Sequence, residues 1–122
     1  MIDGETVRAL ALALPEVEEH DHWGRPSFRV RKKIFVTLWP DEQRAVLKLS
    51  RDDQSALVGL DPEVFSPVPG TWGEQGSTNV QLARIAHAMF QQVLYTAWRQ
   101  VAPKRLIAAY APLPSANENT PS

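Results

Sequence analysis

Apolar positions along this chain follow helical spacing in some stretches and strict alternation in others, and the changes of period mark its elements. Val7, Leu10, Ala11 and Leu14 recur at helical spacing behind Asp3, a residue type that caps helix N-termini, and Pro15 ends the run, so a helix is predicted over 4–14. The stretch Glu16-Val-Glu-Glu-His-Asp-His22 shows no period and reads as an acidic loop. Phe28 and Val30 then alternate with Ser27, Arg29 and Arg31, the pattern of a half-buried strand with a cationic outer face. Over 33–39, Ile34, Val36 and Leu38 fall on one face and Phe35, Thr37 and Trp39 on the other, which predicts a central strand covered on both sides. After a turn at 40–43, residues 44–50 alternate as a third strand. The link Arg31-Lys32-Lys33 lacks the Gly or Asn that two-residue hairpin turns favour, so either a looser register or a strained tip is expected there.

In the second half, Asp52 is placed to cap a short helix that runs to Leu60, where Asp61-Pro62 breaks it. Residues 61–76 hold three prolines with Gly70, Gly73 and Gly76, and read as an irregular crossing loop anchored by Val64-Phe65 and Trp72, with room for a short strand at 64–66. A strand is predicted over 77–85. Ala86, Phe90, Val93, Leu94, Ala97 and Val101 form the strongest helical stripe in the chain, predicting a helix over 86–101, and a further turn or two follows Pro103. Residues 111–122 contain no core-forming run and are predicted to be disordered. The order of elements gives one α+β domain over 1–110, an antiparallel sheet with helices packed on one face. The other face is left open as a platform.

Composition narrows the function classes. A chain of 122 residues with 43% apolar residues can bury one core of its own. With no cysteine, disulfides, thiolate catalysis and thiolate metal sites are excluded. Asp3 and Glu5 stand where a signal peptide would carry positive charge, and no apolar run is long enough to span a membrane, so a cytoplasmic monomer is expected. The formal charge of −1 hides a segregation. From 25 to 51, Arg25, Arg29, Arg31, Lys32, Lys33, Arg44, Lys48 and Arg51 face only Asp41 and Glu42, a balance of +6, whereas the segments on either side, 1–24 and 52–83, each balance at −5. A second basic block, +4, covers 84–110. Such a block points to an anionic partner, unless folding pairs it with the acidic ones.

The succession Leu14-Pro15-Glu16-Val17-Glu18-Glu19, Trp23-Gly24, Phe28-Arg29-Val30, Lys33-Ile34-Phe35, Leu47-Lys48-Leu49, Asp61-Pro62-Glu63-Val64-Phe65, Trp72 and Val101-Ala102-Pro103-Lys104-Arg105-Leu106 resembles the MmcQ/YjbR-like family. The resemblance spans roughly residues 2–108. It implies a compact α+β fold related to the frataxin-like (CyaY-like) arrangement and a double-wing DNA-binding motif. Where many members have a glycine-bearing turn before the lysine matched by Lys33, this chain has Arg31-Lys32.

Under that reading the partner is double-stranded DNA. Arg29, Arg31, Lys32 and Lys33 neutralise phosphates from the hairpin, Lys48 and Arg51 from the next strand, and Lys104 and Arg105 from the last helix. The competing account of the same residues is a solvated strand edge whose cations prevent edge-to-edge pairing. Trp72, in its glycine-rich loop, is the tryptophan best placed for stacking on a base; the other three are expected in the core or as loop anchors. His20-Asp21-His22 lacks a third fixed ligand, so no metal and no cofactor are expected. No nucleophile–base pair or phosphate-cradling glycine loop is present, and no catalytic residue is assigned. The alternative function is a non-enzymatic protein-interaction or small-ligand module that uses the open sheet face and the Trp72 loop.

Overall fold

Two tight turns determine how the first half of the sheet assembles. Trp23 and Gly24 have φ of 55° and 82°, and Arg31 and Lys32 have φ of 51° and 74°. Positive φ at both central residues is the geometry of the type I′ hairpin turn, whose twist matches that of paired strands. The first turn joins β1 (Val17–His22) to β2 (Arg25–Val30), with His22 opposite Arg25; the second joins β2 to β3 (Lys33–Trp39), with Val30 opposite Lys33. Both alternatives expected for the second link therefore occur. The tip is strained, and the pairing also slips by one residue between Phe28 and Arg29, leaving Phe35 as the extra residue of a bulge.

Left-handed dihedrals on Arg31 and Lys32 cost about 1 kcal/mol each relative to Asn or Gly. The double variant Arg31→Asn/Lys32→Gly is thus expected to stabilise the domain by about 1–2 kcal/mol, a rise of roughly 5–10 °C in melting temperature by calorimetry. Loss of the exposed Arg31–Glu16 ion pair, 3.1 Å, subtracts little from this. An unchanged or lower melting temperature would contradict the strain argument.

The structure is a computed structural model that describes residues 1–110; the predicted disordered tail, 111–122, lies outside the described residues. It corrects the sequence reading first at residues 17–22, which form an edge strand rather than a loop. Glu19 points to the core side of β1, where Arg8 of α1 (Gly4–Leu12) reaches it at 2.6 Å. That hydrogen bond raises the already high pKa of the guanidinium. An ion pair at an inward position thus hides the alternation that would have marked the strand. Asp3 caps α1 as expected: its carboxylate accepts from the Thr6 hydroxyl and backbone N–H, which holds it below the ordinary aspartate range.

A 3-10 turn at Pro40–Glu42 leads into β4 (Arg44–Lys48). The cap of α2 (Arg51–Leu60) is Ser50, whose hydroxyl accepts from Asp53 N–H at 3.0 Å, so Asp52 falls inside the helix rather than ahead of it. The 61–76 segment is more regular than a loop: it holds the short strand β5 (Phe65–Pro67) and the one-turn helix α3 (Thr71–Glu74). β6 (Ser77–Gln81), α4 (His87–Val101) and α5 (Lys104–Ala109) complete the chain. The sheet has six strands, all antiparallel, in the order β1-β2-β3-β4-β6-β5.

One sheet face presents Phe28, Val36, Leu38, Ala45, Leu47 and Val80, which register as cross-strand neighbours and are buried. α4 covers it with Phe90, Val93, Leu94, Ala97 and Trp98, and α1 adds Val7 and Ala11. Trp98 has no exposed surface, and its Nε1–H donates to the Pro15 carbonyl at 3.1 Å. Full burial of a side chain of this size stabilises the fold by roughly 3 kcal/mol. The expected antiparallel sheet with helices on one face is what forms.

Candidate nucleic-acid interface

In an antiparallel meander, consecutive turns lie at opposite ends of the sheet. The Trp23-Gly24 turn, the Pro40–Glu42 turn and the start of β5 share one end, since Trp39 pairs with Arg44, Arg44 with Gln81, and Gln81 N–H donates to Val64. The Arg31-Lys32 turn, the β4–α2 junction and the α3 turn share the other, where Lys48 pairs with Ser77 and Leu49 N–H donates to Gly76. α4 runs from the first end to the second. Its start follows Ile85, whose carbonyl holds the N-terminal amine, and its end is fixed by Trp98 on Pro15, two residues before the Val17–Val30 pair.

This topology sorts the charge. The second end gathers Arg31, Lys32, Lys33, Lys48, Arg51 and the first residues of α5, Lys104 and Arg105, against Glu16, Asp52, Asp53 and Glu74. The first end carries Asp3, Glu5, Asp21, Asp41, Glu42, Asp61 and Glu63 against Arg25, Arg44 and Arg84. With Arg99, in the last turn of α4, the second end has a net excess of four cations, opposite an excess of four acids at the first. At the basic end, Lys32, Lys33, Lys48, Arg51, Lys104 and Arg105 are all exposed, and none joins an ion pair among the described residues. Arg31 pairs with Glu16.

Seven of the eight predicted contact residues are therefore placed at this end of the sheet. The eighth, Arg29, sits on the open sheet face, where its guanidinium donates to His20 Nε2 at 2.7 Å and lies 3.7 Å from Glu18. In sequence the 25–51 block reads as one basic unit; the fold divides it. Arg25 and Arg44 go to the acidic end, where they flank Trp39 in a cross-strand row, their guanidinium carbons 3.5 Å and 4.2 Å from the ring centroid. Arg44 also donates to Glu42 and Asn79. Each arginine is occupied by a cation–π contact that stabilises by about 1 kcal/mol.

The tryptophans separate likewise. Trp98 is core and Trp39 is enclosed by arginines, while Trp23 and Trp72 are 85% and 66% exposed. His20 and His22 project from β1 onto the open face, and no group of three metal-ligating side chains occurs among the described residues. No helix among them is long and apolar enough to cross a membrane.

A family model described as YjbR matches residues 12–100. No curated protein matches the chain. The chain is similar to the crystal structure of Deinococcus radiodurans protein DR2400, described with the domain DUF419, at 15% identity and a TM-score of 0.74, over 99% of this chain and 91% of that one. At such identity the likeness carries the fold.

Proposed function

This chain belongs to the YjbR family, and from that premise we propose that it is a non-catalytic DNA-binding protein whose basic end holds the phosphate backbone. The observation that carries the reading is the sorting of charge: six exposed cations that join no ion pair among the described residues share one end of a molecule whose total charge is −1. A solvated edge needs only scattered lysines. Here the cations come from four separate elements and lie at the same end of the sheet as a strained turn, and strain of that kind concentrates at functional sites. Contacts to phosphate would position the duplex without reading its sequence.

The test is affinity for a labelled duplex of about 20 base pairs over a range of salt. Six phosphate contacts predict a slope of log K against log salt near −5. Absence of binding at low salt sinks the proposal, and a slope near zero rules out backbone contact.

A second reading, an anionic small ligand or protein on the open sheet face, is favoured by one observation. The Nε–H groups of Arg25 and Arg29 are buried there without a hydrogen-bond acceptor among the described residues. Amide shift perturbation separates the two: DNA moves Arg31 to Lys33 under the first, whereas a carboxylate ligand moves Arg25, Arg29 and Thr37 under the second.

A further inference from the structure

The α3 turn is built rigidly, yet its largest side chain is left in water. Gly73 and Gly76 are both buried with no room for a Cβ, against the Val68 and Leu49 carbonyls. Gln54 of α2 donates through one Nε2 to the Gly73 and Ser77 carbonyls, each at 3.0 Å. Glu74 and Gln75 N–H groups close the turn on Gly70 and Thr71. All these bonds hold the backbone, while Trp72 stays 66% exposed. Leaving a large aromatic in solvent on a fixed frame gives nothing to folding.

The frame also fixes what stands beside it. Gln54 lies one helical turn after Arg51, on the same side of α2, so its bond to Gly73 brings the Trp72 turn against the helix start that carries Arg51. The bond from Leu49 N–H to Gly76 brings the same turn against the residue after Lys48. An exposed aromatic on a hydrogen-bonded turn, flanked by cations that join no ion pair among the described residues, is the arrangement that binds single-stranded nucleic acid, because every base offers a face to stack and the cations follow the backbone. Trp23 provides the contrast. It is more exposed still, but it stands at the acidic end beside Asp21, whose carboxylate accepts from Gly24 N–H.

We infer that Trp72 stacks on an unpaired base and that the ligand of the basic end is DNA with a single-stranded segment. The inference rests on the phosphate-binding reading above and adds the form of the nucleic acid. Two flanking cations hold the phosphates on either side of the stacked nucleotide, and a fully paired duplex offers Trp72 no free base face.

The experiment compares three labelled ligands at low salt: a 12-nucleotide oligo-dT, an abasic strand with the same number of phosphates, and a 12-base-pair duplex. Trp72→Ala is expected to weaken oligo-dT binding about tenfold, as loss of one stacked base requires, and to leave the abasic strand and the duplex unchanged. Trp72→Phe keeps most of the affinity but removes the quenching of intrinsic fluorescence by oligo-dT, and Trp23→Ala changes nothing. Equal oligo-dT affinity for wild type and Trp72→Ala, or an equal loss on the abasic strand, overturns the stacking inference while phosphate binding stands. If wild type binds none of the three, both readings fall.

Discussion

Replacing Gly76 with alanine is expected to destabilise the domain by about 3 kcal/mol or more, lowering the urea midpoint by roughly 2 M. Two independent causes act together. At φ of 110°, Gly76 occupies a region that side-chain-bearing residues rarely adopt, and its new Cβ would overlap the Leu49 carbonyl oxygen and lie 3.0 Å from the carbonyl carbon. Backbone on both sides prevents relaxation, because Gly76 O accepts from Leu49 N–H at 3.2 Å and from the buried Thr78 hydroxyl at 2.9 Å. Gly59 serves as the internal control. It lies within α2 with open space at its Cβ, so Gly59→Ala is expected to stabilise by about 0.5–1 kcal/mol through helix propensity and a less disordered unfolded chain. Opposite shifts from one chemical change, followed by circular dichroism in urea, are the expected result. A Gly76→Ala midpoint within about 0.3 M of wild type would show that the β4–α3 contact yields more easily than its geometry implies.

The elements legible from sequence are those whose side chains obey a single rule. α4 announces itself because a full stripe of apolar residues faces the sheet, and β3 because Ile34 to Trp39 is apolar at every position but Thr37. β1 does not, since the Arg8–Glu19 pair places a carboxylate at an inward position. The cap of α2 is ambiguous in sequence for a related reason: Ser50 and Asp52 are both residue types that cap well, and the helix starts from the first, two residues after β4 ends at Lys48. For the site, residue types were legible and grouping was not. Proximity in sequence says little in a meander, where Arg25 and Arg31 lie at opposite ends of one strand. Conversely, the 15 residues of α4 rise about 22 Å, close to the length of a seven-residue strand such as β3, which is why Lys104 and Arg105 emerge near the Arg31-Lys32 turn from a distant part of the chain.

Charge reversal at the turn, Lys32→Glu with Lys33→Glu, is expected to reduce DNA affinity by about 100-fold at low salt and to make the salt slope shallower by roughly 2. Both side chains are exposed and join no ion pair among the described residues, so each reversal removes a phosphate contact and adds repulsion, while stability stays within about 0.5 kcal/mol. The comparison that gives the result its meaning is Arg84→Glu. It makes the same change of charge as Lys33→Glu alone, but at the acidic end, where Arg84 holds Glu63 at 3.0 Å, and it is expected to alter affinity less than twofold. If net charge alone governed binding, Lys33→Glu and Arg84→Glu would weaken it equally; position at the basic end requires a loss of about tenfold for the first only. The strained turn supplies a second axis. Arg31→Asn/Lys32→Gly removes two cations from the same tip, so it is expected to bind DNA more weakly while unfolding at higher temperature. Stability and affinity moving in opposite directions at one turn is what a site retained for binding at the expense of folding produces, and a purely structural hairpin gives no reason for it.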